Sequence, residues 1–142
     1  MRRTMFGLLA VVGGAMISGA FLLSATVEAH HAIQAEFDTK KTEEITGVLT
    51  RFAMINPHVR WYFEETKPDG TKVEWQFTAS GPGAMRDAGL ARIFKPGVTY
   101  KVTFAPAHSG AKVGRLRTMT FPDGRTVTMY HEDPTKSDVK VE

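Results

Sequence analysis

The sequence predicts an all-β domain, β-rich with one short helix, built as a small antiparallel barrel of five to six strands. Three observations carry that expectation. Two stretches alternate apolar and polar residues with a period of two, as half-buried strands do. In one, Val59, Trp61 and Phe63 alternate with His58, Arg60, Tyr62 and Glu64. In the other, Val98, Tyr100, Val102 and Phe104 alternate with Thr99, Lys101 and Thr103. Between such stretches stand turn formers, Lys67-Pro68-Asp69-Gly70, Lys95-Pro96-Gly97 and Pro122-Asp123-Gly124,. No strand–helix–strand repeat occurs, so a parallel sheet is not expected.

Taken in order, residues 1–29 read as a cleaved secretory signal peptide. Arg2 and Arg3 give a positive start, residues 6–23 form an apolar run, and Val27 and Ala29 place small residues before a cut after Ala29,. The rival reading is an uncleaved membrane anchor, since the run is near spanning length. No basic cluster follows it to stop transfer, which favours cleavage and a periplasmic or secreted protein. Only if uncleaved would the chain meet a membrane.

Residues 30–43 form a polar N-terminal arm that Phe37 would dock on the core. The β-barrel domain spans residues 44–130. Its first strand, residues 44–54, does not alternate cleanly, and Gly47 marks the expected bulge or bend. Residues 58–65 and 71–78 form a hairpin, with Val73, Trp75 and Phe77 facing inward on its second strand. Ser80-Gly81-Pro82-Gly83 is irregular, and residues 84–90 suit a short helix closed by Gly89. Met85 and Leu90 would cover one end of the barrel. Strands at residues 98–104, 115–121 and 125–130 follow, with a loop at 106–114 that contains His108. Residues 131–142 form a charged tail expected to fray. Three strands, a helix, then two or three strands is the order of the OB-fold.

Composition excludes much chemistry. The chain has no cysteine, which removes disulfides, zinc-thiolate sites, iron–sulfur clusters and thiol nucleophiles. Lys and Arg total 18 against 15 Asp and Glu, an excess too small and too scattered to indicate nucleic acid. The core aromatics alternate inward, leaving few stacking platforms, so no nucleic acid is expected as a partner. Neither paired carboxylates, a nucleophile elbow nor a phosphate loop is present, so the chain is not expected to be an enzyme.

A metal site would have to use His, Asp, Glu, Met or the chain terminus, and the chain has five histidines. Cleavage after Ala29 makes His30 the first residue. Its free amine and ring form one chelate, and His31 or His58 offers a further imidazole, the arrangement called a histidine brace. Copper(II) favours such tetragonal nitrogen coordination. His58 follows Pro57, whose fixed φ stiffens the corner. The plain alternative is that His30 and His31 are a polar leader and that His58 bonds the corner's backbone.

These motifs together resemble an uncharacterised, DUF6152-like family of secreted bacterial proteins of unknown function. The resemblance rests on His30-His31-Ala32, Phe37-Asp38, Ile45-Thr46-Gly47-Val48, Asn56-Pro57-His58, Lys95-Pro96-Gly97 and Pro122-Asp123-Gly124-Arg125, and spans most of residues 30–130. It implies that the two histidine motifs belong to one design. Where the family tends to carry a tryptophan two residues before Asn-Pro-His, this chain has Met54, a softer shield that also brings a thioether.

Two functional expectations follow. One is an exported small β-barrel binding protein holding copper through His30, His31 and His58. The other is a metal-free envelope binding module for a protein or saccharide partner. It would use the outer face of strands two and three, Arg60, Tyr62, Glu64, Lys72, Glu74 and Gln76, where OB-folds commonly take ligands.

Overall fold

A computed structural model describes residues 34–129 and 140–141. The chain divides into two compact units, Met1–Glu36 and Phe37–Glu142. Of the first, only Gln34, Ala35 and Glu36 are described, helical and exposed. The expected signal peptide lies outside the described residues.

The second unit is a barrel. Its strands are β1 (Glu43–Ala53), β2 (Arg60–Thr66), β3 (Lys72–Thr78), β4 (Thr99–Pro106), β5 (Val113–Thr120), β6 (Thr126–Thr128) and β7 (Lys140–Val141). Helix α1 (Pro82–Asp87) and a 3-10 turn (Leu90–Arg92) separate β3 from β4. Neighbours pair in the order β3-β2-β1-β4-β5-β6-β7, and β3 also pairs with β5. That last contact closes β1 to β5 into a five-stranded barrel and leaves β6 and β7 as an extension. Every pairing is antiparallel except the closing one, where Gln76 to Thr78 run parallel to Val113 to Arg115. β2 and β4 both run antiparallel to β1, and β3 and β5 run antiparallel to those in turn, so β3 and β5 run in the same direction. The barrel is therefore mixed rather than wholly antiparallel, and its topology is OB-fold-like.

The alternation read from sequence is the alternation observed. Val59, Trp61, Phe63, Trp75, Phe77, Tyr100, Val102 and Phe104 are buried. Their rings form one cluster: Phe77 and Phe104 lie 4.7 Å apart by centroid, Trp75 and Phe104 5.1 Å, and Phe94 and Phe121 5.2 Å. Leu116, Met119, Val127 and Met129 complete the core from the C-terminal strands.

The irregularity of β1 has a different cause from the one expected. The bulge falls between Leu49 and Arg51, not at Gly47. Leu49 and Phe52 are three apart, so a strict two-residue period cannot turn both inward. The extra residue resets the phase, and Phe52 then packs on Trp61 at 4.9 Å,. Gly47 serves a close approach instead, since a Cβ there would stand 3.0 Å from the carbonyl oxygen of Glu64. β1 turns at this point from pairing with β4 to pairing with β2.

The helix begins earlier than the periodicity suggests. Gly81, extended at φ −68° and ψ 161°, caps it, and Pro82 occupies the first turn, where a missing N–H costs nothing,. Gly89 ends it at φ 69°,. Met85 and Leu90 are buried beneath it, as expected. Ser80 Oγ donates to the carbonyl of Met129 at 2.6 Å, tying the helix entrance to the end of β6. The tail differs from expectation. Lys140 and Val141 pair with Thr128 and Val127, so its end adds a strand rather than fraying.

Candidate polar cleft at one end of the barrel

One end of the barrel is shaped by the segment before β1 and by residues 107–112 between β4 and β5. Phe37 bridges to Ala107 and is buried, as the sequence suggested for an arm docked by that ring. Asp38 N–H donates to the carbonyl of Pro106 at 2.8 Å. Arg117, the extra residue of a second bulge in β5, clasps the segment from the other side. Its guanidinium donates to the Thr42 hydroxyl and, at 2.6 Å, to the Thr39 carbonyl. The loop after β4 turns at Gly110, which has φ 74° and donates to the carbonyl of Ala107 at 3.1 Å. It is strapped to β3 by Gln76 N–H, which donates to the Lys112 carbonyl at 2.9 Å.

Between these pieces lies a cleft of about 340 Å³ lined by Asp38, Lys41, Glu43, Trp75, His108 and Lys112, with Pro106, Ala107, Gly110 and Ala111. That volume is at the lower end of the ~300–1,000 Å³ range of small-molecule sites. Trp75 is the one aromatic residue of the lining, and it is almost wholly buried, at 5% exposed. Its Nε1 donates to Glu65 Oε2 at 2.7 Å, and the Lys112 ammonium sits 4.9 Å from its ring centroid. Glu65 also pairs with Lys67 at 2.8 Å.

One ion pair lies in the lining of the cleft, and a second stands beside Trp75. Asp38 and Lys41 meet at 3.1 Å. The Lys41 hydrogen bond holds the Asp38 carboxyl below its ordinary value, helped by the Lys41 charge, the Lys40 N–H and the charge of His108, against a smaller opposing effect of desolvation. For Glu65, burial pushes the pKa up, but the hydrogen bonds from Lys67 and Trp75 and the charges of Lys67 and Lys112 together bring it below its ordinary value.

A pH dependence follows. A carboxylate with a lowered folded pKa stabilises the fold above its unfolded value, and that contribution is lost as pH falls through the folded value. Acidification below the ordinary glutamate range should therefore release the Trp75 indole from Glu65. Tryptophan emission should shift over this acid window in the wild-type protein, and Glu65→Gln should remove that component. An identical acid profile in Glu65→Gln would show that the contact does not govern Trp75.

The residues predicted from sequence sit elsewhere. His58 is half-buried in the corner between β1 and β2, after a cis Asn56–Pro57 bond. The corner is fixed by Val59 N–H, which donates to the Ser80 carbonyl at 3.2 Å. The cleft and His58 lie at opposite ends of β1, because Glu43 opens that strand and Ala53 closes it. His30 and His31 lie outside the described residues. Among the described residues no group of three or more His, Asp or Glu could hold a metal ion.

The six residues of the predicted binding face do share one face of β2 and β3. Tyr62 pairs with Gln76, Glu64 with Glu74 and Thr66 with Lys72. Much of that face is engaged with itself. Lys72 bonds Glu64 at 2.8 Å, and the Arg51 guanidinium lies 3.3 Å from the centroid of the Tyr62 ring. Arg60 and Glu74 are exposed.

Sequence reasoning missed the cleft because its residues come from three separate places in the chain. The available signal was the connection between the last two barrel strands, which carries a histidine and a glycine and is too long for a tight hairpin turn.

The model of a family described as a family of unknown function, DUF6152, matches residues 20–117. Comparison with curated proteins gives no match. Among solved structures, the mitochondrial single-stranded DNA binding protein Rim1 of S. cerevisiae is similar at 12% identity and a TM-score of 0.47. The match covers 58% of this chain and 93% of that one.

Proposed function

We propose that this chain, which belongs to the DUF6152 family of unknown function, is an exported binding protein that takes a small polar ligand at the end of its barrel. The observation that carries the reading is the cleft beside residues 107–112, with Trp75 among its walls and donors and acceptors on its rim. Concave sites with an apolar surface and a few convergent polar groups are where small ligands bind. Export rests on the N-terminal signal pattern.

Ala111→Trp tests the reading, because Ala111 is exposed on the rim and a large ring there fills the cleft without entering the core. Ligands found by ligand-observed NMR with a polar fragment library should lose affinity for Ala111→Trp by roughly tenfold or more, about 1.4 kcal/mol. Ligands insensitive to Ala111→Trp but sensitive to Arg60→Ala and Glu74→Ala would move the site to the outer face of β2 and β3.

A second reading is copper(II) binding through the mature N-terminal amine and ring of His30, with His31 and His58. It is favoured by the half-buried setting of His58 in a corner held to Ser80. The exported form should have the intact mass of a chain beginning at His30. Copper affinity should fall separately in His30→Ala and His58→Ala. A different N-terminus, or unchanged affinity in both variants, would end this reading.

A further inference from the structure

We propose that the helix-capped end of the barrel docks on a bilayer of anionic phospholipid, with Ile55 and Ile93 entering the interface and the neighbouring cations on the headgroups. This end is remote from the cleft, and its docking needs no membrane anchor at the N-terminus. It is one packed unit. Val59 N–H donates to the Ser80 carbonyl at 3.2 Å and Ala79 N–H to the Val59 carbonyl at 3.3 Å, which ties the corner before β2 to the entrance of α1. Gly97 N–H donates to the Leu49 carbonyl at 2.8 Å, which ties the turn before β4 to β1. Trp61 has Phe52 on one side at 4.9 Å and Phe94 edge-on at 5.1 Å. Ile55 follows Phe52 by three residues, and Ile93 directly precedes Phe94.

The first argument is exposure. Among the described residues the exposed large hydrophobic side chains are Ile55, at 42%, and Ile93, at 36%. One stands in the corner between β1 and β2 and the other just after the 3-10 turn, so both belong to this end. A single exposed apolar side chain is ordinary. Two on loops of the same end, beside the half-buried Phe52 and Met54, form a local apolar surface. Both are aliphatic, so a nucleic-acid base finds no aromatic platform in them.

The second argument is charge. Residues 51–60 and 86–95 carry five cations, Arg51, Arg60, Arg86, Arg92 and Lys95, against one acid, Asp87. The rest of residues 34–129 carries nine of each sign. All five cations are exposed, and among the described residues none of them forms an ion pair. Arg51 rests on the Tyr62 ring. Elsewhere Lys41, Lys67, Lys72, Lys101 and Arg125 each hold an acid within 3.1 Å. The positive excess is thus gathered where the exposed isoleucines are. Long cationic side chains keep their heads in the polar layer while their stems lie on apolar surface, and guanidinium groups bond phosphate through paired N–H groups. Apolar insertion and attraction to anionic lipid then act together. An acidic protein would also answer the charge, but two isoleucines on loops make too small an apolar patch for the core of a stable protein interface.

The test is sedimentation of the exported protein with vesicles, either phosphatidylglycerol mixed with phosphatidylcholine or phosphatidylcholine alone. The protein should sediment with the anionic vesicles, stay in solution with the neutral ones, and be released by roughly 0.5 M sodium chloride. Arg92→Gln should weaken binding about fivefold and Arg92→Gln/Lys95→Gln about twenty-fivefold. Lys40→Gln, which removes an exposed cation at the other end of the barrel, should change it by less than about twofold. Ile55→Ser/Ile93→Ser, at exposed positions, should keep the fold and weaken binding roughly tenfold. No binding to the anionic vesicles would overturn the proposal, as would unchanged binding in either double variant. Equal binding to both kinds of vesicle, the result an uncleaved apolar N-terminus gives, would also overturn it. Polyglutamate or oligothymidylate bound in place of the vesicles, and lost in Arg92→Gln/Lys95→Gln, would overturn it by assigning the surface to an acidic protein or a nucleic acid.

Discussion

Trp61→Ala should cost about 3–5 kcal/mol of stability, the usual range for removing a buried large aromatic. Domains of this size are stable by only about 5–15 kcal/mol, so a large part of the folded population is at stake. Trp61 is fully buried on β2. Its ring stacks on Phe52 at 4.9 Å and meets Phe94 edge-on at 5.1 Å. It therefore joins the reset end of β1 to the segment that leaves the 3-10 turn. Truncation leaves a cavity that three separate elements would have to collapse to fill. Trp61→Phe should cost much less. It keeps an aromatic in the stack and removes an Nε1 donor that is buried without a hydrogen-bond partner among the described residues. Urea denaturation followed by circular dichroism measures both. Equal midpoints for the two variants would show that the stack is not what holds this end of the barrel together.

Gly114→Val should be nearly as damaging, at about 1–3 kcal/mol or more, because it forces volume into a filled core. Gly114 lies where β5 closes the barrel against β3, paired with Phe77. A Cβ there would stand 2.5 Å from a Phe104 ring carbon, 3.0 Å from the Ala105 carbonyl oxygen and 3.1 Å from a Phe77 ring carbon. Both rings are packed on each other and on Trp75, so neither can retreat freely. Gly83→Ala is the matched control. A Cβ at that helical position meets nothing within 4 Å, and alanine there should stabilise by about 0.5–1 kcal/mol. If Gly114→Val unfolds at the wild-type urea concentration, barrel closure does not depend on a bare backbone at that point.

The fold was legible because its signals are local. Alternation placed Trp61, Phe63, Trp75, Phe77 and Phe104 inside, and the Pro-Gly turns bounded the strands around them. The bulge in β1 was legible only as a broken period. Gly47 drew attention, but the spacing of Leu49 and Phe52 decided where the extra residue had to go. The parallel closure of β3 on β5 has no local signal, since it joins Gln76 to Val113, far apart in the chain.

The candidate site was hidden for the same reason. Asp38, Trp75 and Lys112 look like an arm residue, a core residue and a loop residue. Only the pairing of Phe37 with Ala107 and the strapping of Lys112 to Gln76 bring them round one cleft. His58 stood out in sequence because of the proline beside it. The structure sets it at the far end of β1, so the corner and the cleft are separate questions.

A chemical-shift map of the nitrogen-15-labelled protein with a ligand from the fragment screen tests the central claim most directly. The perturbed signals should cluster at residues 38–43 and 106–112 and at the Trp75 indole. Shifts confined to the outer face of β2 and β3, at Arg60, Glu64 and Glu74, or to the corner around His58, would contradict a ligand site at this end of the barrel.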